Sequence, residues 1–327
     1  MFDFLPNEML AADEYSAMQK KVWESINALR ATLTPPSTLY HYTDAAGLKG
    51  IVESGKLRAT HISFMNDASE YLHAVQLLLE GLSLARDGVS DPLQRKLIDE
   101  IEPAIAATEP QHVAPYFVAC FSAKKNDLNQ WRAYGRGEGG YSIGFDGALI
   151  EARMSALYAF LSPSIYEREQ QAHLVRELIS WALDEYPRVA KKYTAADQDK
   201  HRALWGHALL WTAASAAPIM KSPAFAEEEE WRIIHLLQSV ADVRFFSRPT
   251  GLVPFVEMSL GIAQNAPPPD YTARLGRPLP DKLPITVLWS GPGRATDTSL
   301  LAGRALLEQC NYQDVKLFSS KISYRVG

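Results

Sequence analysis

The stretch SPAFAEEEEWRIIHLL, residues 222–237, sets four carboxylates against an apolar run of strand length. Adjacent like charges repel, and a carboxylate that turns inward loses its hydration unless a cation or hydrogen bonds replace it. A charged loop in water satisfies the same letters. In an extended chain, however, side chains alternate between faces. If residues from Glu230 onward are extended, Glu228 and Glu230 point to one face, and Glu229 and Trp231 to the other. Two carboxylates on one face can have their titrations pushed apart or share a cationic ligand. In the plainer reading the glutamates pair at the surface with Arg232 or Lys221.

Working outward, strands recur at both ends of the chain with helices between them. TLYHYT (38–43), LRATHISF (57–64), PYFVACFS (115–122), GYSIGFD (140–146), LPITVLWSG (283–291) and DVKLFSSKISYRV (314–326) read as strands. EMLAADEYSAMQKKVWESINALRATL (8–33) carries apolar residues at helical spacing and stops before two prolines. Asp44 caps a second helix that Gly55 ends. Asn66 or Asp67 caps a third, with Glu70 in its first turn, and a fourth covers 91–107. DLNQWRAYG (127–135) is a short helix ended by glycine. Residues 164–217 are mostly helical, and DTSLLAGRALLEQC (297–310) is a helix capped by Asp297 or Thr298. AQNAPPPDYTARLGRPLP (263–280) is a proline-rich loop. This order favours α+β over regular βαβ alternation. The expected organisation is an N-terminal amphipathic helix, 1–36, then one α+β domain, 37–327, with a helical insertion at about 150–220.

The composition bounds the function. The chain has 327 residues, 47% hydrophobic and 22% charged, as in a globular protein. With 33 basic and 38 acidic residues, the formal charge is −5, so no global basic field favours nucleic acid or anionic membrane. The start has no secretory pattern and no apolar run reaches ~18 residues; a cytoplasmic protein without a membrane partner is expected. Cys120 and Cys310 form no metal-binding pattern, and no resident metal is expected. GIVESGKL (50–57) nearly matches GxxxxGK(S/T), but Leu57 replaces the hydroxyl that would hold magnesium, and a helix precedes the glycines. GRGEGG (135–140) contains GxGxxG, but between a helix and a strand, the reverse of the dinucleotide fingerprint.

The polar clusters that remain lie beside strands. His41 and Tyr42 sit in LYHYT, where a structural histidine is the simpler reading. Asn66, Asp67 and Glu70 read first as a helix start. Ser122, Trp131, Arg132 and Tyr134 lie in CFSAKKNDLNQWRAYG (120–135), with Trp131 and Tyr134 three apart on one helix face. Packing accounts for that pair, and a surface salt bridge accounts for Arg132. Arg132 could equally bind a phosphate or a carboxylate.

Together, LYHYT with GLKGIVESGKL, FMNDASE, CFS with GYSIGFD, KSPAFAEEEEWRII and the ending ITVLWSGP with LFSSKISYRV resemble the bacterial family called domain of unknown function 2971, over about 38–327. A strand with LYHYT, a helix ending ESGKL and a further strand also resemble the opening of ADP-ribosyltransferase-like folds. That second resemblance implies a core of two small sheets with helices and a helical insertion, binding NAD as substrate in a cleft. It implies His41 on the adenosine ribose, with Tyr42 and Thr43 beside it. Trp131 or Tyr134 would stack on nicotinamide, Arg132 would meet the pyrophosphate, and Ser122 would line the site. Glu230 would grip the nicotinamide ribose, with Glu228 as the second carboxylate facing a macromolecular acceptor, protein or nucleic acid. The expected activity is NAD-consuming transfer or glycohydrolysis, as in a toxin or defence effector. Two alternatives stand: a non-catalytic module binding a nucleotide or protein, and a metal-dependent nuclease or hydrolase using Asn66, Asp67, Glu70 and the glutamates.

Overall fold

The computed structural model describes residues 10–31, 33–65, 69–106, 116–135, 139–154, 157, 159–260, 281–293 and 296–323. They group into two compact units, one from the spans 1–33, 61–116 and 164–225, the other from 34–60, 117–163 and 226–327. Among the described residues, no helix is long and apolar enough to cross a membrane.

The first unit is helical. It contains α1 (Ala12–Ala31), α3 (Ser69–Gly88), α4 (Pro92–Ala106), α7 (Arg168–Ala190) and α8 (Ala195–Ala214). The apolar stripe of α1, Met18, Val22 and Ile26, is buried, as are Leu77, Leu78 and Leu82 of α3 and Leu174, Leu178 and Ile179 of α7. Burial of stripes spaced three and four residues apart is what drives such helices together. Gly206 of α8 lies so close to α4 that a Cβ would overlap Ile101. One polar tie crosses this core: Glu14 of α1 bonds His201 Nε2 of α8 at 2.9 Å, and Tyr193 stacks on the imidazole at 4.0 Å.

Among its described residues, the second unit holds the sheet and four helices. Its strands are β1 (Thr38–Thr43), β2 (Lys56–His61, whose last residue falls in the first unit's span), β3 (Tyr116–Ser122, likewise at its first residue), β4 (Tyr141–Asp146), β5 (Ala159–Pro163), β6 (Glu230–Leu236), β7 (Arg244–Arg248), β8 (Gly251–Ser259), β9 (Ile285–Ser290) and β10 (Lys316–Ser319). The helices are α2 (Ala45–Ser54), α5 (Leu128–Tyr134), α6 (Gly147–Arg153) and α9 (Thr296–Gln309). The strands form one network ordered β10-β9-β4-β1-β3-β2-β8-β7, with β6 pairing both β3 and β5. Two separate small sheets are therefore not what the strands build. The halves are joined where β1 meets β3, through the register pair Tyr40↔Ser122. The mixed, open arrangement is α+β, as the element order implied.

Several boundaries follow from local chemistry. Asp44 accepts from Gly47 N to open α2, and Gly55 closes it at φ 63°, a left-handed conformation that costs glycine little. β2 stops at His61 because the imidazole accepts from Ser63 N and starts a 3₁₀ turn over Ile62–Phe64, where a longer strand was expected. α9 begins at Thr296, so Asp297 lies in its first turn and not at the cap. The proline-rich stretch 263–280 lies outside the described residues.

Strand alternation sorts the sheet into two faces. Leu39, His41 and Thr43 share one face with Phe145, Ile143 and Tyr141, their register partners on β4. Gly303 brings α9 onto this face; a Cβ there would sit 2.9 Å from Leu288 and 3.3 Å from Tyr141. The opposite face carries Tyr40 and Tyr42. On it, Gly144 leaves room for Tyr40, Thr38 and Val287, and an added Cβ would overlap Val287. Gly144→Ala should therefore destabilise the protein by about 1–3 kcal/mol, the usual cost of overpacking. Gly50→Ala, with open space around it in α2, should stabilise by about 0.5–1 kcal/mol. Thermal unfolding of the two variants checks the opposite signs.

Candidate functional site

The site is built around the end of β3. Ser122, its last residue, donates from Oγ to the carbonyl of Glu228 at 2.7 Å, and Ala123 N donates to the carbonyl of Glu229 at 3.0 Å. These bonds fix the run of glutamates to β3. Pro223–Glu228 forms 3₁₀ turns, and Glu229 adopts φ 44°, a region few side-chain-bearing residues occupy. The extended chain begins only at Glu230. The alternation that would put Glu228 and Glu230 on one face therefore does not reach back to Glu228.

The four glutamates divide by partner. Glu227 and Glu229 converge on Lys124, whose Nζ lies 3.3 Å and 3.6 Å from their carboxylates and 3.7 Å from Asp127. Desolvation pulls the Lys124 ammonium down, but Glu227, Glu229 and Asp127 outweigh it, so its pKa is raised. Glu230 turns inward instead. Its carboxylate is 5% exposed and accepts from Arg232 Nη2 at 2.8 Å, and Arg232 is 1% exposed. Residues i and i+2 of a strand share a face, so β6 itself brings this pair together. The guanidinium offsets part of the desolvation of the carboxylate.

On β1, His41 and Tyr42 point to opposite faces. His41 is half-buried against Phe121, ring centroids 5.8 Å apart, and its Nδ1 lies 2.8 Å from the carbonyl of Cys120. A carbonyl only accepts, so Nδ1 carries the proton and Nε2 is the acceptor nitrogen. Burial lowers the His41 pKa, partly opposed by that hydrogen bond. Tyr42 donates to the carbonyl of Lys124 at 2.7 Å and accepts from Asp127 N at 3.1 Å. Its ring meets Trp131 edge-on at 4.7 Å, and its pKa is raised chiefly by burial. Asp127 also caps α5, accepting from Asn129 N and Gln130 N. Tyr42 thereby docks α5 onto the sheet. Trp131 is buried, with Nε1 donating to Asn126 at 2.9 Å.

The structure thus gathers Tyr42, Ser122, Trp131, Glu228, Glu230 and Arg232 around the end of β3, with His41 on the opposite face of the same strands. Thr43 ends β1, its side chain filling the space beside Gly47. Arg132 is exposed on α5, and Tyr134, two residues on, is half-buried. Asn66 and Asp67 lie outside the described residues, as does the side chain of Glu70, which falls in α3 of the helical unit. Among the described residues, no group of three His, Cys, Asp or Glu could hold a metal ion. Sequence reasoning missed Lys124 and Asp127, which organise the glutamates and α5. The DLNQ start of α5 carried the signal for Asp127 as a cap.

A model of the family described as "Protein of unknown function (DUF2971)" matches residues 130–233, a narrower span than 38–327. The match runs from α5 to the middle of β6 and includes Trp131, Arg132, Tyr134, Glu228, Glu230 and Arg232. No curated protein and no solved structure matches the chain.

The histidines set a pH dependence. His41 and His61 are both lowered by burial, His61 to about 4. A histidine whose folded pKa is depressed binds its proton more readily when unfolded. Its contribution is full above about 6.5 and is lost as pH falls through the folded value. Stability should decline between pH 6.5 and 4, and His61→Gln should flatten that decline relative to wild type in urea unfolding. An NMR titration should place the His41 midpoint below 6.5; a midpoint above it would contradict the described environment.

Proposed function

We propose that the sheet unit is an ADP-ribosyltransferase-like, NAD-cleaving enzyme, a transferase or glycohydrolase of the kind bacteria use as toxins or defence effectors. One observation carries the reading: a buried carboxylate, Glu230, held by Arg232 at 2.8 Å on the strand paired with β3. Ser122, the last residue of β3, fixes the chain ahead of Glu230 by donating to the Glu228 carbonyl at 2.7 Å.

In this reading the bond between C1′ of the ribose and the nicotinamide nitrogen breaks. Nicotinamide leaves with the bonding electrons as a neutral ring, and positive charge develops on the ribose. A preorganised carboxylate stabilises that charge, and Arg232 keeps Glu230 in one orientation. Water or a macromolecular acceptor then adds at C1′ and releases a proton. His41 lies on the opposite face of these strands, so the ribose contact that the resemblance implied for it is not part of this site. Tyr134, whose ring is partly accessible on α5, is the better placed of the two aromatics to hold the nicotinamide. Arg132, exposed on the same helix, meets the pyrophosphate.

Incubation with NAD should release nicotinamide, and Glu230→Gln should reduce the rate by at least about 10²-fold, as loss of an electrostatic stabiliser does. Undiminished release by that variant removes Glu230 from the mechanism. Binding of NAD in calorimetry without turnover assigns the site instead to a non-catalytic nucleotide-binding module.

A further inference from the structure

The sheet face that carries Tyr42 continues to the β10 edge as a row read directly from the register. Tyr42 opposes Ser142, Ser142 opposes Trp289, and Trp289 opposes Phe318. Tyr42 and Ser142 are buried under α5 and its flanking loop, but the row emerges at its end: Trp289 is half-buried and Phe318 is 44% exposed. The two rings stack, centroids 4.9 Å apart and planes at 23°. Lys125 Nζ stands 5.9 Å over the Trp289 ring. Lys316, two residues before Phe318, lies on the same face of β10.

The charges around this stack are unbalanced. Lys124 is surrounded by Glu227, Glu229 and Asp127. Among the described residues, neither Lys125 nor Lys316 has a carboxylate partner. An exposed aromatic platform flanked by two such ammoniums matches a ligand with a flat ring at one end and a negative charge at the other. The exposed part spans two rings on adjacent strands, the footprint of one base and its phosphate and not of a polymer.

We infer that the Trp289–Phe318 stack, with Lys125 and Lys316, is a binding site for a nucleoside monophosphate, the base lying on Phe318 and the phosphate between the lysines. This site is on the face opposite His41, and it does not rest on NAD cleavage.

Calorimetry tests it in the Glu230→Gln background, so that loss of catalysis and loss of this site read out separately. The probes are AMP, adenosine, ribose 5-phosphate and a single-stranded oligothymidylate. AMP should bind, and adenosine and ribose 5-phosphate should each bind at least about tenfold more weakly. Phe318→Ala should weaken AMP by about ten- to a hundredfold, the worth of one base stack. The double variant Lys125→Gln with Lys316→Gln should weaken AMP and spare adenosine. Phe318 is exposed, so an unchanged circular dichroism spectrum is expected for its variant. No AMP binding at millimolar concentration, or AMP binding undiminished by either variant, overturns the site. An oligonucleotide that binds far tighter than AMP with a steep salt dependence overturns the assignment to a mononucleotide.

Discussion

The constraint on which the sheet unit depends is an ion pair inside it. Glu230 and Arg232 are both almost wholly removed from water and face each other at 2.8 Å. An isolated charge in such a place costs several kcal/mol. Each offsets the other's desolvation from two residues away on the same side of an extended chain. That makes the extended conformation of β6 at Glu230 an electrostatic requirement as well as a packing one. The chain meets it abruptly: 3₁₀ turns to Glu228, a left-handed Glu229, then strand. Ser122 and Ala123 hold the transition by binding the carbonyls of Glu228 and Glu229.

The repulsion within the run of carboxylates is relieved by cations and by the change of backbone geometry at Glu229. Glu227 and Glu229 share Lys124, while Glu230 is buried with its own cation. Lys124 in turn belongs to the loop that Tyr42 binds through its carbonyl and that Asp127 ends by capping α5. One short segment, residues 122–131, therefore couples β3, α5, β1 and the head of β6. The charge that a NAD-cleaving reaction would use and the helix that would carry its aromatic and basic groups are set by the same few hydrogen bonds.

Much of the local structure was legible because short-range chemistry decides it. Asp44 and Gly55 bounded α2, the run DLNQWRAYG located α5, and the apolar stripe Met18, Val22 and Ile26 located the core face of α1. Helices 69–106 and 168–214 read correctly as helices, but nothing local says that segments so far apart share a core with α1. The β7–β8 hairpin went unread because Pro254 interrupts its apolar run; the chain turns between Arg248 and Gly251, and Gly251 takes φ 136°. The pairing of Glu228 with Glu230 assumed a strand one turn too long. The row Tyr42–Ser142–Trp289–Phe318 needs the register of three strand pairs, which periodicity within single strands does not contain. The inward turn of Glu230 was legible only as a condition: a carboxylate next to an apolar strand with an arginine two residues on.

The most direct test is a double-mutant cycle on Glu230→Gln and Arg232→Met, read by native-state hydrogen exchange of the Ile233 and Ile234 amides, which reports the strand itself. Mutual dependence of the two buried charges predicts that each single variant lowers protection and that the double variant loses less than the sum, with a coupling of about 1–3 kcal/mol. Strict additivity of the two losses would contradict the account, because Glu230 and Arg232 would then stand in β6 independently of one another.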